Sequence, residues 1–482
     1  MSDRPNILFF MVDQMQGRVL EPDHPCLTPN LDALASRGIR LSQAYTPNAV
    51  CSPSRASLMT GLLPHNHGVL EVIHVVDEDQ CCLRTDRLHW AQRLEHLGYR
   101  TGYFGKWHVE RTEKLEDFGW QVHCLPASAR YRQRQSELRG TSGAQQQFTL
   151  AHYIDQPPGY KRNLLYGVTD QPPERRGMGV ATSLAAEFLQ EVLRGETPWC
   201  CFVSISEPHD PFICSEEAFS LYDVDALALP ANLHDDLSDR PGLYRKAGAP
   251  FSQMTDRQHR EAAACNCASI TEIDKLFGGL IDLVNDAGAL DNTIVIFTGD
   301  HGELLGAHGL YCKNISGFEE VYNIPMVMAG PGIAALGTVD ARVGLHDLCP
   351  TILDLVGAEP LPDLDPDSRS FAPLLKDPSL APSYRSGYAE YYGGRYRLTQ
   401  RIYWEDDWKL VFNGFDYDEL YNLSRDPFEM HNLASDRAYE DRLRHMLASL
   451  WRRVRDSKDR ALWNSHYAGL RLAPFGPGIA ED

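Results

Sequence analysis

Four strand-like runs set the frame of this chain: Asn6 to Val12 (NILFFMV), Arg100 to Phe104 (RTGYF), Trp199 to Ser204 (WCCFVS) and Thr293 to Phe297 (TIVIF), with Pro325 to Met328 as a shorter fifth. The longest are apolar without alternation, the pattern of strands covered on both faces. Helical segments fall between them. In TPNLDALASRG, Thr28 stands at the N-cap, Pro29 at the first helical position and Gly38 at the stop; LHWAQRLEHLGY ends at Gly98 and leads straight into the next strand. Strand and helix in alternation predict an α/β fold, a mixed sheet sandwiched by helices.

The chain has 482 residues, 43% of them hydrophobic, enough for a large core and two domains of unequal size. A stretch rich in Pro, Asp and Ser (EPLPDLDPDSRSFAPLLKDPSLAPS) marks the crossing, so a catalytic domain is expected over 1–375 and a smaller C-terminal α+β domain over 376–482. In the latter, RLTQRIYW, WKLVFN and DELYNL predict an antiparallel sheet, and Ala438 to Arg455 predicts a helix. Tyr131 to Arg176 lacks periodicity and predicts long loops over one end of the main sheet. The segment ALWNSHYAGLRLAPFGPG is expected to wrap onto the main domain or a second copy, which leaves a homo-oligomer open, or else to fray.

A net charge of -20 makes nucleic acid and anionic membrane surfaces poor partners. The first apolar run, Ile7 to Val12, ends at Asp13 after six residues and suits a buried strand better than a signal peptide; no membrane span follows. Twelve scattered cysteines without zinc-type spacing read as reduced core thiols of a cytoplasmic protein, with a cleaved leader left open.

In open α/β sheets, functional groups gather beyond the C-terminal ends of strands. Here those ends carry Asp13 and Gln14; Lys106 and His108; Glu207, His209 and Asp210; and Asp300 and His301. Asp13, Gln14, Asp300 and His301 form a donor set for one divalent cation, Ca2+ first and Mn2+ second because an imidazole softens the site. Either aspartate alone reads equally well as a cap. Lys106, His108, His209, Lys313 and Arg55 would surround that cation with positive charge, a setting for a small tetrahedral oxyanion. The helix starting near Ser52 adds its positive end. In NAVCSPSRASLMTG, Pro53 sits in the first turn of that helix and Gly61 just past its end, with the Cys51 thiol at the entrance.

CSPSR resembles the Cys-x-Pro-Ser-Arg motif of the type I sulfatases, in the alkaline phosphatase superfamily, and ASLMTGLLPHNHGV resembles its continuation. NILFFMVDQ, GYFGKWHV, PHDPF, FTGDHGELLGAHGLYCK and WKLVFN...DELYNLSRDPFEMHNLA follow in family order, covering about residues 5–435. The resemblance implies an alkaline-phosphatase-like domain with a smaller C-terminal domain and hydrolysis of sulfate esters. It also implies that Cys51 is oxidised to formylglycine by a formylglycine-generating enzyme and touches the cation. On this reading Arg55, Lys106 and Lys313 hold the sulfate, His108 acts in sulfate release, and His209 with Lys313 protonates the departing alcohol. His67 and His308 are the weaker expectations, as substrate-binding residues; for His65 and His67 a structural role is favoured.

The chain departs from many sulfatases in carrying Gln14 after Asp13 and His301 after Asp300, as the choline-sulfatase and phosphonate monoester hydrolase branches do. The favoured substrate is an alkyl or carbohydrate O-sulfate, small or oligosaccharide. The alternatives are a phosphonate monoester or phosphodiester hydrolase, and a non-catalytic binding protein on this fold.

Overall fold

In the first strand, alternate side chains enter two different cores. A computed structural model describes residues 4–77, 81–84, 88–139, 147–313, 316–359, 367–393, 398–463 and 472–481. Leu8, Phe10 and Val12 join one apolar cluster, whereas Ile7, Phe9 and Met11 join a second on the opposite face. All six are fully buried, each worth about 1.5–3 kcal/mol on removal from water. A strand with a core on either side has no face left for polar residues, which is why the run is continuous.

The strands are β1 (Asn6–Asp13), β2 (Ile39–Tyr45), β3 (Arg100–Gly105), β4 (Val122–Cys124), β5 (Phe148–Ile154), β6 (Asn163–Thr169), β7 (Trp199–Pro208), β8 (Phe212–Ser215), β9 (Thr293–Gly299), β10 (Met326–Ala329), β11 (Gly337–Gly344), β12 (Ser386–Tyr391), β13 (Gln400–Glu405), β14 (Trp408–Asn413) and β15 (Glu419–Asn422). Eight form the main sheet, in the order β11-β2-β10-β9-β1-β7-β3-β4. β1 runs parallel to β7 and β9, and β3 parallel to β7; β10 alone is antiparallel to its neighbours. The parallel block brings the C-terminal ends of β1, β3, β7 and β9 to one edge.

Helices Gly177–Val192 and Asp256–Asp286 supply residues to one core, and helices Cys51–Thr60, Trp90–His96 and Leu348–Leu355 to the other. Helix Pro29–Arg37 begins after Thr28, as expected, but the Thr28 side chain caps nothing. Asp274 of the long helix does so instead, accepting from the Asn30 and Leu31 amides at 3.0 and 2.8 Å. The cap is tertiary, so its signal lies far away in sequence.

The smaller C-terminal sheet, β12-β13-β14-β15, is antiparallel throughout. It packs against helix Glu440–Asp456 through Leu410, Phe412, Leu420, Leu447 and Trp451. Residues 472–481 fold back onto that helix: the Phe475 carbonyl accepts from Trp451 Nε1 at 2.8 Å and Ala480 is buried. The rest of the tail cluster, 464–471, lies outside the described residues.

The expectation of loops over 131–176 is corrected. Helix Ala129–Arg139, β5 and β6 occupy most of the described part, and β5-β6-β8 make a three-stranded sheet. The helix buries only Tyr131 and so has no apolar stripe to betray it. β2 and β11, at one margin of the main sheet, were also illegible, because their apolar residues are interrupted by half-buried or exposed polar ones.

Candidate active site

All ten residues of helix Cys51–Thr60 are buried, and Gly61 stops it with φ 71°, the left-handed turn that glycine adopts without strain. Cys51 opens the helix, so its thiol lies at the positive end of the dipole, facing the ends of β1 and β9. Its Sγ is 3.2 Å from His301 Nε2 and 3.6 Å from Asp13 Oδ1. Burial pushes the thiol up, but Lys106, Lys313, His301 and His108 together bring it well below its ordinary range.

Asp13, Cys51, Asp300 and His301 each offer a donor atom within 4.8 Å of the others, and all four are buried. His301 hydrogen-bonds the Gly302 carbonyl through Nδ1 at 2.9 Å, which fixes the tautomer and leaves the Nε2 lone pair facing the carboxylates. Two buried carboxylates, an imidazole lone pair and a thiol suit a divalent cation.

Arg55 braces the two aspartates. Its Nε bonds Asp300 Oδ2 at 2.7 Å, Nη2 bonds Asp13 Oδ2 at 3.1 Å, and Nη1 bonds the Lys106 carbonyl and Ser204 Oγ at 3.0 and 2.8 Å. With no exposed side-chain surface, it clamps the Oδ2 oxygens of both aspartates. Burial and Cys51 push the Asp13 carboxyl up, yet Lys106, His209 and Arg55 outweigh them and hold it far below the usual carboxylate range. Lys106 ion-pairs with Asp13 Oδ2.

Gln14 has a left-handed backbone at φ 68°, and its side chain bridges three partners. Oε1 accepts from Lys313 Nζ at 2.8 Å, while Nε2 donates to Asp210 Oδ1 at 2.8 Å and to Glu303 Oε2. The residue 51 side chain stands beside Asp13, Asp300 and His301 as a donor, and the Gln14 amide is engaged with Lys313, Asp210 and Glu303.

Lys313 Nζ lies 2.5 Å from His209 Nε2, and His209 Nδ1 lies 2.7 Å from the Asp210 carbonyl. Burial alone would lower His209; contact with Cys51 and the charge of Asp13 instead raise it to about 9. His108, in a left-handed backbone at φ 55°, lies beside the thiol and sets Nε2 3.0 Å from His74 Nδ1. Left-handed non-glycine residues at two strand ends are the kind of local strain that collects at working sites.

His67 and His308, the weaker expectations, have protein partners in this structure. His67 is wholly buried, with Nε2 2.9 Å from Ser57 Oγ and Nδ1 accepting from the Val69 amide. His308 pairs with Asp235 at 2.7 Å and stacks on Phe318 with ring centroids 3.7 Å apart. It lines a cavity of about 350 Å³ whose walls include none of the residues around Cys51. His65, in the short helix Pro64–His67, pairs with Glu390 of β12 at 2.6 Å.

Ser204, Glu303 and His74 went unread as site neighbours. Ser204 ends a run already recognised, and Glu303 lies three residues after Asp300, so both had a positional signal. His74 lies in an irregular segment and had none.

The chain belongs to the sulfatase family, sulfuric ester hydrolases of the alkaline phosphatase superfamily: the model described as Sulfatase matches residues 5–358. A second, described as N-sulphoglucosamine sulphohydrolase, C-terminal, matches 306–456. The chain is 29% identical to a choline-sulfatase of Rhizobium meliloti (strain 1021), over 93% of this chain and 87% of that protein. It is 30% identical to the uncharacterized sulfatase YidJ of Escherichia coli (strain K12), over 91% and 84%. Among solved structures, the phosphonate monoester hydrolase SpPMH from Silicibacter pomeroyi superposes with a TM-score of 0.79 at 23% identity, covering 97% of this chain and 99% of that one. Among the described residues no helix is long and apolar enough to cross a membrane.

Proposed function

We propose that the protein hydrolyses an alkyl or carbohydrate O-sulfate, using a formylglycine made from Cys51 and one divalent cation. The observation that carries this reading is the placement of Cys51 at the positive end of a buried helix, within reach of Asp13, Asp300 and His301. Choline sulfate is an alkyl O-sulfate, so the resemblance to a choline-sulfatase supports that substrate class.

Asp13, Asp300, His301 and residue 51 would hold the cation, with Ca2+ the first expectation and Mn2+ the second; bound there, it would lower the pKa of a hydroxyl at position 51 and neutralise sulfate charge. A hydrated aldehyde at that position supplies two hydroxyls on one carbon, one to attack sulfur and one to expel sulfate as the aldehyde re-forms. A thiol has no equivalent second group, which accounts for the modification. A formylglycine-generating enzyme is the partner this requires.

The remaining work falls to the chain's own residues. Lys106 and Lys313 face the sulfate oxygens, while Arg55 keeps the carboxylates ionised and aimed. His108, beside residue 51, takes the proton of the second hydroxyl during release. The His209–Lys313 pair gives a proton to the departing oxygen.

A second reading, phosphonate monoester or phosphodiester hydrolysis, is permitted by Gln14 and His301 standing where many sulfatases carry Asp and Asn. Rates on an aryl sulfate, an aryl phosphonate monoester and a phosphodiester, measured in parallel, decide between them; the sulfate should be cleaved fastest. Mass spectrometry of the peptide around Cys51 should find the aldehyde in active protein. Full activity with an intact thiol would overturn the mechanism.

A further inference from the structure

We infer that Glu303 is a positioning residue for Lys313, acting through the Gln14 amide; the inference rests on the reading above only for the bond that Lys313 helps to break.

Lys313 can meet either end of the Gln14 amide. With the oxygen toward it the contact is a charge-assisted hydrogen bond; with the NH2 toward it, a donor opposes a cation. The far side of the amide decides which. Nε2 carries two hydrogens, and two carboxylates stand there to receive them: Asp210 Oδ1 at 2.8 Å and Glu303 Oε2. With both hydrogens committed, Oε1 must face Lys313, as it does at 2.8 Å.

The two carboxylates are not equivalent. The Asp210 side chain is 29% exposed, and Glu303 is 1% exposed. The other oxygen of Glu303, Oε1, accepts from the Leu305 amide at 2.9 Å and the Cys312 amide at 2.6 Å. Those amides lie at the two ends of a loop closed by Leu304 N–H to Cys312 carbonyl (3.1 Å) and Gly306 N–H to Leu310 carbonyl (2.8 Å), and the residue after that loop is Lys313. Glu303 thus ties the base of the loop with one oxygen and sets the polarity of the Gln14 amide with the other. From Lys313 the arrangement passes to His209, 2.5 Å away.

Glu303→Gln separates the two roles. Its Oε1 can still accept from both backbone amides, so the loop stays tied. Its NH2 then confronts the Gln14 NH2, and the Gln14 amide must turn over and present a donor to Lys313. On purified, modified, cation-loaded enzyme, the variant should keep the wild-type thermal midpoint, cation content and aldehyde content. It should lose about 10- to 100-fold in kcat/KM on an alkyl or sugar sulfate. On nitrophenyl sulfate, whose phenolate needs no proton, the loss should be about tenfold smaller. Added to Lys313→Ala, Glu303→Gln should cause no further loss. Equal losses on both esters, or losses that multiply with those of Lys313→Ala, would overturn the assignment.

A crystal structure of Glu303→Gln gives a readout independent of turnover. Lys313 Nζ should leave Gln14 and His209, and an unmoved Lys313 would also overturn it. Wild-type enzyme that cleaves an aryl phosphonate monoester and no sulfate would sink the sulfatase reading alone. The same comparison would then be made on phosphonates with good and poor leaving groups.

Discussion

Across the 2.5 Å between His209 Nε2 and Lys313 Nζ only one proton can lie, so the two form one acid and not two. Its loss should be felt where the departing oxygen is basic. His209→Ala should therefore cost ~100-fold or more in kcat/KM on a sugar or alkyl sulfate and far less on nitrophenyl sulfate. His108 lies on the other side, next to residue 51, and acts after the alcohol has gone. His108→Ala should give a burst of alcohol and then one slow turnover ceiling shared by both substrates. Stopped-flow kinetics of both variants on both esters makes the comparison; equal losses for His209→Ala across leaving groups would remove it as the acid. At this scale the sequence displayed which residues gather, because each follows a strand. It did not display their directions. Gln14 and Arg55 turn toward partners 286 and 245 residues away, Asp300 through the Gln14 backbone amide and again through the Arg55 side chain.

Between the elements, the pairing of His65 with Glu390 has a measurable pH signature. Burial would lower His65 and raise Glu390; their mutual attraction overrides it, carrying His65 from 6.5 to about 9 and Glu390 from 4.5 to about 2. A raised histidine contributes fully below its unfolded value and is lost as pH climbs through its folded one; a lowered carboxylate contributes fully above its unfolded value and is lost as pH falls through its folded one. The pair is therefore worth most between pH 4.5 and 6.5 and fades toward 9. His65→Ala should lower stability by about 2–4 kcal/mol near pH 6 and by clearly less near pH 9.5. Urea unfolding at the two pH values tests it, and an identical loss at both would mean that the pair is uncharged. Elements themselves were legible where burial was two-sided, as in β1, β7 and β9. They were not where one face meets solvent or where, as in helix Ala129–Arg139, nearly the whole surface is polar.

For the molecule as a whole, a cation held only by the folded state must stabilise it. At a hundredfold excess over its dissociation constant the gain is about 2.7 kcal/mol. Adding Ca2+ or Mn2+ to chelated protein should raise the unfolding temperature and restore turnover, and Asp300→Asn should abolish both effects; an active chelated enzyme would overturn the assignment. The donors come from the end of β1, the start of helix Cys51–Thr60 and the segment just past β9, and β1 and β9 are hydrogen-bonded neighbours although nearly three hundred residues separate Asp13 from Asp300. No short piece of the chain owns this donor set. It comes into being only when those two strands zip together in register, so the ion cannot seed folding. During refolding, the moment of ion capture would serve as a clock for closure of the central sheet, trailing the helices that form from local contacts alone.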